Sequence, residues 1–191
     1  MQPRTPFRFL LVACLAALTA HASAQSAPTP SASVLPLPTL NVSCVGTSTF
    51  TFSPGLKNEP QDITHTANVD LPNCVLLPSL QRTTAAAPTK TQLFPGLTCT
   101  DLLKPFAKTE ATFSWGNGGT SKVVLSQTRV EAQGASTVLV GVGSVTEGKY
   151  KGAVAVRTLT YVNEDVTQGC LSEQGLTQTS GLATLTLTLP Q

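Results

Sequence analysis

The chain has 191 residues, 41% hydrophobic, 5% aromatic and 12% charged, with 12 Lys and Arg against 10 Asp and Glu. Two of the basic residues, Arg4 and Arg8, lie near the N-terminus, so the remainder is close to neutral. Near-neutrality, few aromatics and no Lys/Arg cluster exclude a nucleic-acid surface, which needs several phosphate neutralisations for affinity.

Residues 1–24 read as a signal peptide. Arg4 and Arg8 form a positive start, Phe9 to Ala20 an apolar stretch, and Ala22-Ser23-Ala24 a small-residue cleavage site. The apolar stretch is shorter than the roughly 20 residues a membrane-crossing helix needs. Leu11-Val12-Ala13-Cys14 also fits a lipid-attachment motif, which would anchor the protein at the cell surface. The apolar run continues past Cys14, however, so secretion is the expectation. Beyond the leader no apolar stretch reaches membrane length, and no membrane insertion is expected after its cleavage.

Residues 25–41 are rich in Ser, Ala and Pro, including Pro28, Pro30, Pro36 and Pro38, and read as a flexible arm. Asn41-Val42-Ser43 fits a glycosylation sequon, of consequence only in a eukaryotic secretory pathway. A single folded domain is expected over 42–191, long enough for a real core.

Within that domain the recurring signal is period-two alternation. Phe50 and Phe52 mark a first strand, ended by Pro54-Gly55. Ile63, His65, Ala67, Val69 and Leu71 share one face of a second. Residues 76–107 look irregular, a long connection with a short helical turn around 101–103. Ala111, Phe113 and Trp115 alternate inward before Gly116-Asn117-Gly118-Gly119 turns the chain into a strand over 121–131. Val138, Val140 and Val142 open another, Glu147-Gly148 turns it, and 151–162 returns. Leu185, Leu187 and Leu189 face one way and Thr184, Thr186 and Thr188 the other, giving the cleanest strand. With no helical segment long enough for a βαβ unit, the expected fold is all-β: an antiparallel, immunoglobulin-like β-sandwich with two disulfides.

Cys14 leaves with the leader, and Cys44, Cys74, Cys99 and Cys170 remain as disulfide cysteines in an oxidising compartment. Four cysteines allow three pairings; Cys44–Cys74 with Cys99–Cys170 is preferred. No Cys-x-x-Cys spacing signals zinc or thiol redox chemistry.

No catalytic set emerges. His65 is the one histidine outside the leader and sits on an apolar strand face, where a packed core residue is expected. Ser-x-x-Lys, Gly-x-Ser-x-Gly and Walker-type motifs do not occur, and Gly141-Val142-Gly143 lacks the third glycine of a dinucleotide loop. The acids are scattered; Glu164 and Asp165 are adjacent and read as solvated loop charges. No catalytic, cofactor-binding or metal-binding residue is assigned, and no cofactor is expected.

Several segments in order resemble a group of small secreted actinobacterial proteins of uncharacterised function. They are Cys44-Val45-Gly46-Thr47, Ser53-Pro54-Gly55-Leu56, Asn73-Cys74, Leu97-Thr98-Cys99, Ser114-Trp115-Gly116-Asn117-Gly118, 143–152 and Gly169-Cys170. The resemblance spans most of the expected domain and implies an exported Ig-like β-sandwich, with no site residues to transfer.

The functional expectation is a secreted, non-enzymatic binding module whose partner is an unidentified extracellular protein or glycan. Two alternatives stand beside it. A hydrolase inhibitor would use a rigid loop over 81–98, with Pro88 and Pro95. A carbohydrate-binding module would expose Trp115, Tyr150 or Tyr161.

Overall fold

The β signal extends further along the chain than alternation alone suggests, and the strands close on themselves. The computed structural model describes residues 40–105 and 108–189, so the expected signal peptide and nearly all of the expected arm lie outside the described residues. Eight strands run in chain order: β1 (Asn41–Leu56), β2 (Gln61–Leu77), β3 (Gln81–Leu97), β4 (Thr109–Trp115), β5 (Thr120–Gln133), β6 (Ser136–Gly148), β7 (Val154–Val162) and β8 (Leu176–Thr188). A 3-10 turn, Cys99–Leu103, follows β3, and one helix, α1 (Asn163–Leu171), links β7 to β8.

Every strand is antiparallel to its chain neighbours, and β1 pairs with β8 from Asn41↔Thr188 to Thr51↔Gln178. The sheet is therefore a closed barrel. This corrects the expected sandwich. Period-two alternation identifies which residues face a core but not whether the last strand returns to the first, and a closed barrel satisfies the same pattern while leaving no sheet edge. Strand length separates the two outcomes: β2 and β3 each run 17 residues, far beyond the ~5–6 common in sheets.

Three further expectations change. The long connection over 81–98 is largely strand β3; its Thr, Pro and Lys residues face water, which makes it read as a loop. Glu164 and Asp165 lie in the first turn of α1, where acidic side chains favour the helix dipole. Val166 and Cys170, one turn apart, are its buried face. Asn41, assigned to the arm, begins β1.

Curvature is built from bulges. The β1–β2 register shifts between Val45 and Thr47. At Gly46 a Cβ would lie 2.0 Å from the Asp70 carbonyl oxygen, so only glycine permits the approach. The weakest seam is β3–β4, whose ladder among the described residues has two pairs, Ala85↔Trp115 and Ala86↔Ser114, extended by the Gly116 N–H donating to the Thr84 carbonyl.

The bonded cysteines are Cys44–Cys74 and Cys99–Cys170, the pairing preferred from the sequence. Cys44 and Cys74 are direct partners across β1 and β2. Cys99–Cys170 fastens the 3-10 turn to α1 near the opposite end of the barrel.

Candidate functional site

The barrel interior has two unlike halves. Around the Cys44–Cys74 end, Val42, Phe113, Val123, Val145, Leu185 and Leu187 are fully buried. Trp115 closes that half: its indole N–H donates to Ser121 Oγ at 2.9 Å, the Ser121 hydroxyl donates to the Lys149 carbonyl, and its ring meets Tyr150 edge-on. In the other half, the inward-facing Phe50, His65, Ala67, Ala111, Thr128, Val130 and Arg157 keep partial exposure. This half lies beyond the two-pair β3–β4 seam, where β3 and β4 no longer form a ladder.

Arg157 is the distinctive residue of the open half. It stands opposite Gly141 on β6 and Leu185 on β8, and it alternates with Ala155, Leu159 and Tyr161 on the inner face of β7. Burial pulls its pKa down, yet the side chain as a whole is only half-buried. Among the described residues it donates no hydrogen bond and meets no carboxylate. All ten Asp and Glu residues fall among the described residues, and none is buried. The interior therefore holds a cation with no acid of its own.

Other inward-facing polar groups lie on β1, β4, β7 and β8. Burial raises the Tyr161 phenol pKa, partly offset by the Arg157 charge, so the hydroxyl keeps its proton. Ser48 Oγ and Thr109 Oγ1 are buried without a hydrogen-bond partner among the described residues. Thr179, opposite Phe50, is also buried. Apolar surface completes the half: Phe50 packs 6.0 Å from Tyr161 and stacks on His65 at 5.2 Å.

His65 lies where alternation places it, on the inner face of β2. It is flanked by Phe50, Phe52 at 5.3 Å and Phe94 at 5.6 Å, and burial lowers its pKa. Aromatic neighbours give it neither an acid to orient it nor a nucleophile to activate. Among the described residues no three His, Cys, Asp or Glu side chains form a metal-binding group. All four cysteines among the described residues are committed to disulfides.

Shallow surface clefts occur at two places among the described residues. One lies over the Cys99–Cys170 disulfide beside Leu103 and Val166; the other lies between Phe94–Leu97 and Lys104. Neither gathers a set of polar groups comparable to the interior. Of the residues considered for glycan contact, Trp115 and Tyr161 are buried; Tyr150 lies in the β6–β7 turn and Tyr161 near the far end of β7.

Sequence reasoning missed Arg157. The available signal was a charged residue in register with Ala155, Leu159 and Tyr161. It was masked because the opposite face carries Val154 and Val156, so neither side of β7 reads as the obvious interior. No protein-family model, curated protein or solved structure matches the chain.

Proposed function

We propose that the protein is an exported, non-enzymatic binding module that takes a small ligand into the open half of its barrel. The observation that carries this reading is Arg157, an arginine on the inner face of β7 with neither a hydrogen-bond nor a carboxylate partner among the described residues. Arginine cannot shed its proton, so burial leaves it requiring an anionic or hydrogen-bonding partner. A few polar groups converging among apolar and aromatic walls are the usual make-up of a small-molecule site. Eight strands enclose an interior of the width that holds side chains or one small ligand.

Export is supported by the leader and by two disulfides, which persist in oxidising compartments. The strand pattern supports a water-facing exterior: Leu185 and Leu187 point inward and Thr184, Thr186 and Thr188 outward. That is the reverse of a membrane barrel, whose apolar residues face lipid. A non-enzymatic role is supported by the surroundings of His65.

The inhibitor alternative loses its rigid loop to strand β3, and the glycan alternative loses its exposed aromatic platform. The test is to express the full chain with its leader, recover it undenatured from the medium, and extract it with organic solvent. Mass spectrometry should find a small molecule bound and chemically unchanged after prolonged incubation. Retention of the protein inside the cell, or conversion of the molecule, would refute the reading.

A further inference from the structure

We propose that Asn117 is a self-modification site: the amide nitrogen of Gly118 attacks the Asn117 side-chain carbonyl, ammonia leaves, and water opens the resulting ring to Asp or isoAsp. The site is independent of ligand binding inside the barrel. Among the six asparagines of the chain, Asn117 alone precedes a glycine; the others are followed by Val, Glu or Cys. Ring closure brings the next residue's nitrogen onto the asparagine Cγ, and a side chain on that residue obstructs the approach. Gly118 has none. Its φ is 90° and a Cβ built there would meet nothing within 4 Å. Asn117 is itself exposed, so water for the second step has access.

Lys149 meets the oxygen on which charge develops. From the β6–β7 turn its Nζ donates to Asn117 Oδ1 at 2.6 Å and to the Gly118 carbonyl at 3.2 Å. Attack at Cγ turns that Oδ1 into an oxyanion, and an ammonium already aimed at it stabilises the tetrahedral state more than the neutral amide. No carboxylate competes: Lys149 forms no ion pair among the described residues. The attacking nitrogen is lightly held. The Gly118 N–H donates to the Trp115 carbonyl at 2.9 Å, a single bond in an exposed turn, and such turns open at low cost.

The bonds balance through one ring. The Gly118 N–Cγ bond forms, the Cγ–Nδ2 bond breaks, and ammonia departs with the proton that the Gly118 nitrogen gives up. Water then opens the ring at either carbonyl. Opening at Cγ gives Asp, whose carboxylate takes over the Lys149 contact as a charge-assisted pair. Opening at the main-chain carbonyl gives isoAsp, which adds a methylene to the backbone. That lengthens a turn closed by the Trp115 N–H on the Gly119 carbonyl at 3.0 Å and displaces the Asn117 N–H from Thr83 Oγ1, now at 3.1 Å. One product tightens the junction of the two turns, and the other breaks it beside Trp115.

The test is peptide mapping by mass spectrometry of the full chain held in mildly alkaline buffer, for the native protein, Asn117→Gln, Lys149→Met and Lys149→Arg. The native peptide holding Asn117 should gain about one dalton and become a substrate for isoaspartyl methylation. Over the same period the other asparagines should stay unchanged and Asn117→Gln should gain nothing. Lys149→Met should slow the conversion about fivefold, the scale of one exposed charge contact, while Lys149→Arg should keep it near the native rate. Lys149→Gln serves in place of Lys149→Met if that variant does not fold. In urea, where the two turns part, native and Lys149→Met proteins should convert at one rate. An Asn117 that persists in the folded protein would overturn the site. Equal or faster conversion in folded Lys149→Met would overturn the part given to Lys149. A peptide joining Lys149 to Asn117 would overturn the attack by Gly118, because the lysine amine would then be the nucleophile.

Discussion

Arg157 and Tyr161 stand on the same inner face of β7 with only Leu159 between them, and each perturbs the ionisation of the other. Such a pair is costly to fold around, because the guanidinium gives up water without gaining a carboxylate among the described residues. In ligand-free protein, Arg157→Met should therefore raise stability, by about 1–3 kcal/mol. Urea unfolding of ligand-stripped protein measures this directly. A destabilised variant would mean that the arginine holds the barrel together, not that it awaits a partner.

His65 gives the fold a pH dependence. Burial among aromatic rings depresses its pKa below 6.5, so the folded state favours the neutral ring. Above pH 6.5 both folded and unfolded chains carry it neutral, and its contribution is fully present. As pH falls through 6.5 the unfolded chain takes up the proton first, and stability declines until the folded value is passed. The urea midpoint should drop between pH 7.5 and 5, and by less in His65→Phe. Identical drops in both proteins would remove His65 as the cause.

Trp115 makes the opposite half of the barrel dependent on one hydroxyl. Ser121 accepts from the indole N–H and donates to the Lys149 carbonyl. Ser121→Ala leaves a buried donor and an acceptor each short of a partner, a loss of about 1–3 kcal/mol. Tryptophan fluorescence during denaturation reports both the stability and any change in indole environment. An unchanged midpoint would show that water replaces the hydroxyl at no cost.

The Cys99–Cys170 bond spans 71 residues and ties α1 to the 3-10 turn. Replacing both cysteines by Ala should cost about 4 kcal/mol in the chain-entropy model. The loss should be uneven. Amide hydrogen exchange should accelerate first in α1, around Val166 and Cys170, while the β1–β2 ladder around Cys44–Cys74 stays protected. Uniform acceleration across the barrel would contradict this division.

Much of the wall was legible from residue pattern. The Leu and Thr alternation near the C-terminus marks β8, and Ala111, Phe113 and Trp115 mark the inner face of β4. Gly116-Asn117-Gly118-Gly119 places the β4–β5 turn. What alternation does not encode is closure. The β1–β8 ladder joins the two ends of the described fold, and nothing local in Asn41 to Thr51 announces Gln178 to Thr188 as its partner. β3 was hidden for a different reason: Pro88, Thr89, Lys90 and Thr91 face water, so the strand lacks an apolar stripe long enough to see. The candidate site was less legible still. Ser48, Thr109 and Arg157 are ordinary residues until strand tilt and closure bring them into one half of the interior, and Val154 and Val156 conceal which face of β7 is inside.

On the proposed function, Arg157 holds an anionic ligand inside the barrel. Native mass spectrometry of protein recovered undenatured from the medium, compared with Arg157→Met prepared identically, tests it most directly. The native protein should carry an additional small acidic mass, released on acidification and absent from the variant. Equal masses for the two proteins, each matching the polypeptide with its disulfides intact, would contradict it.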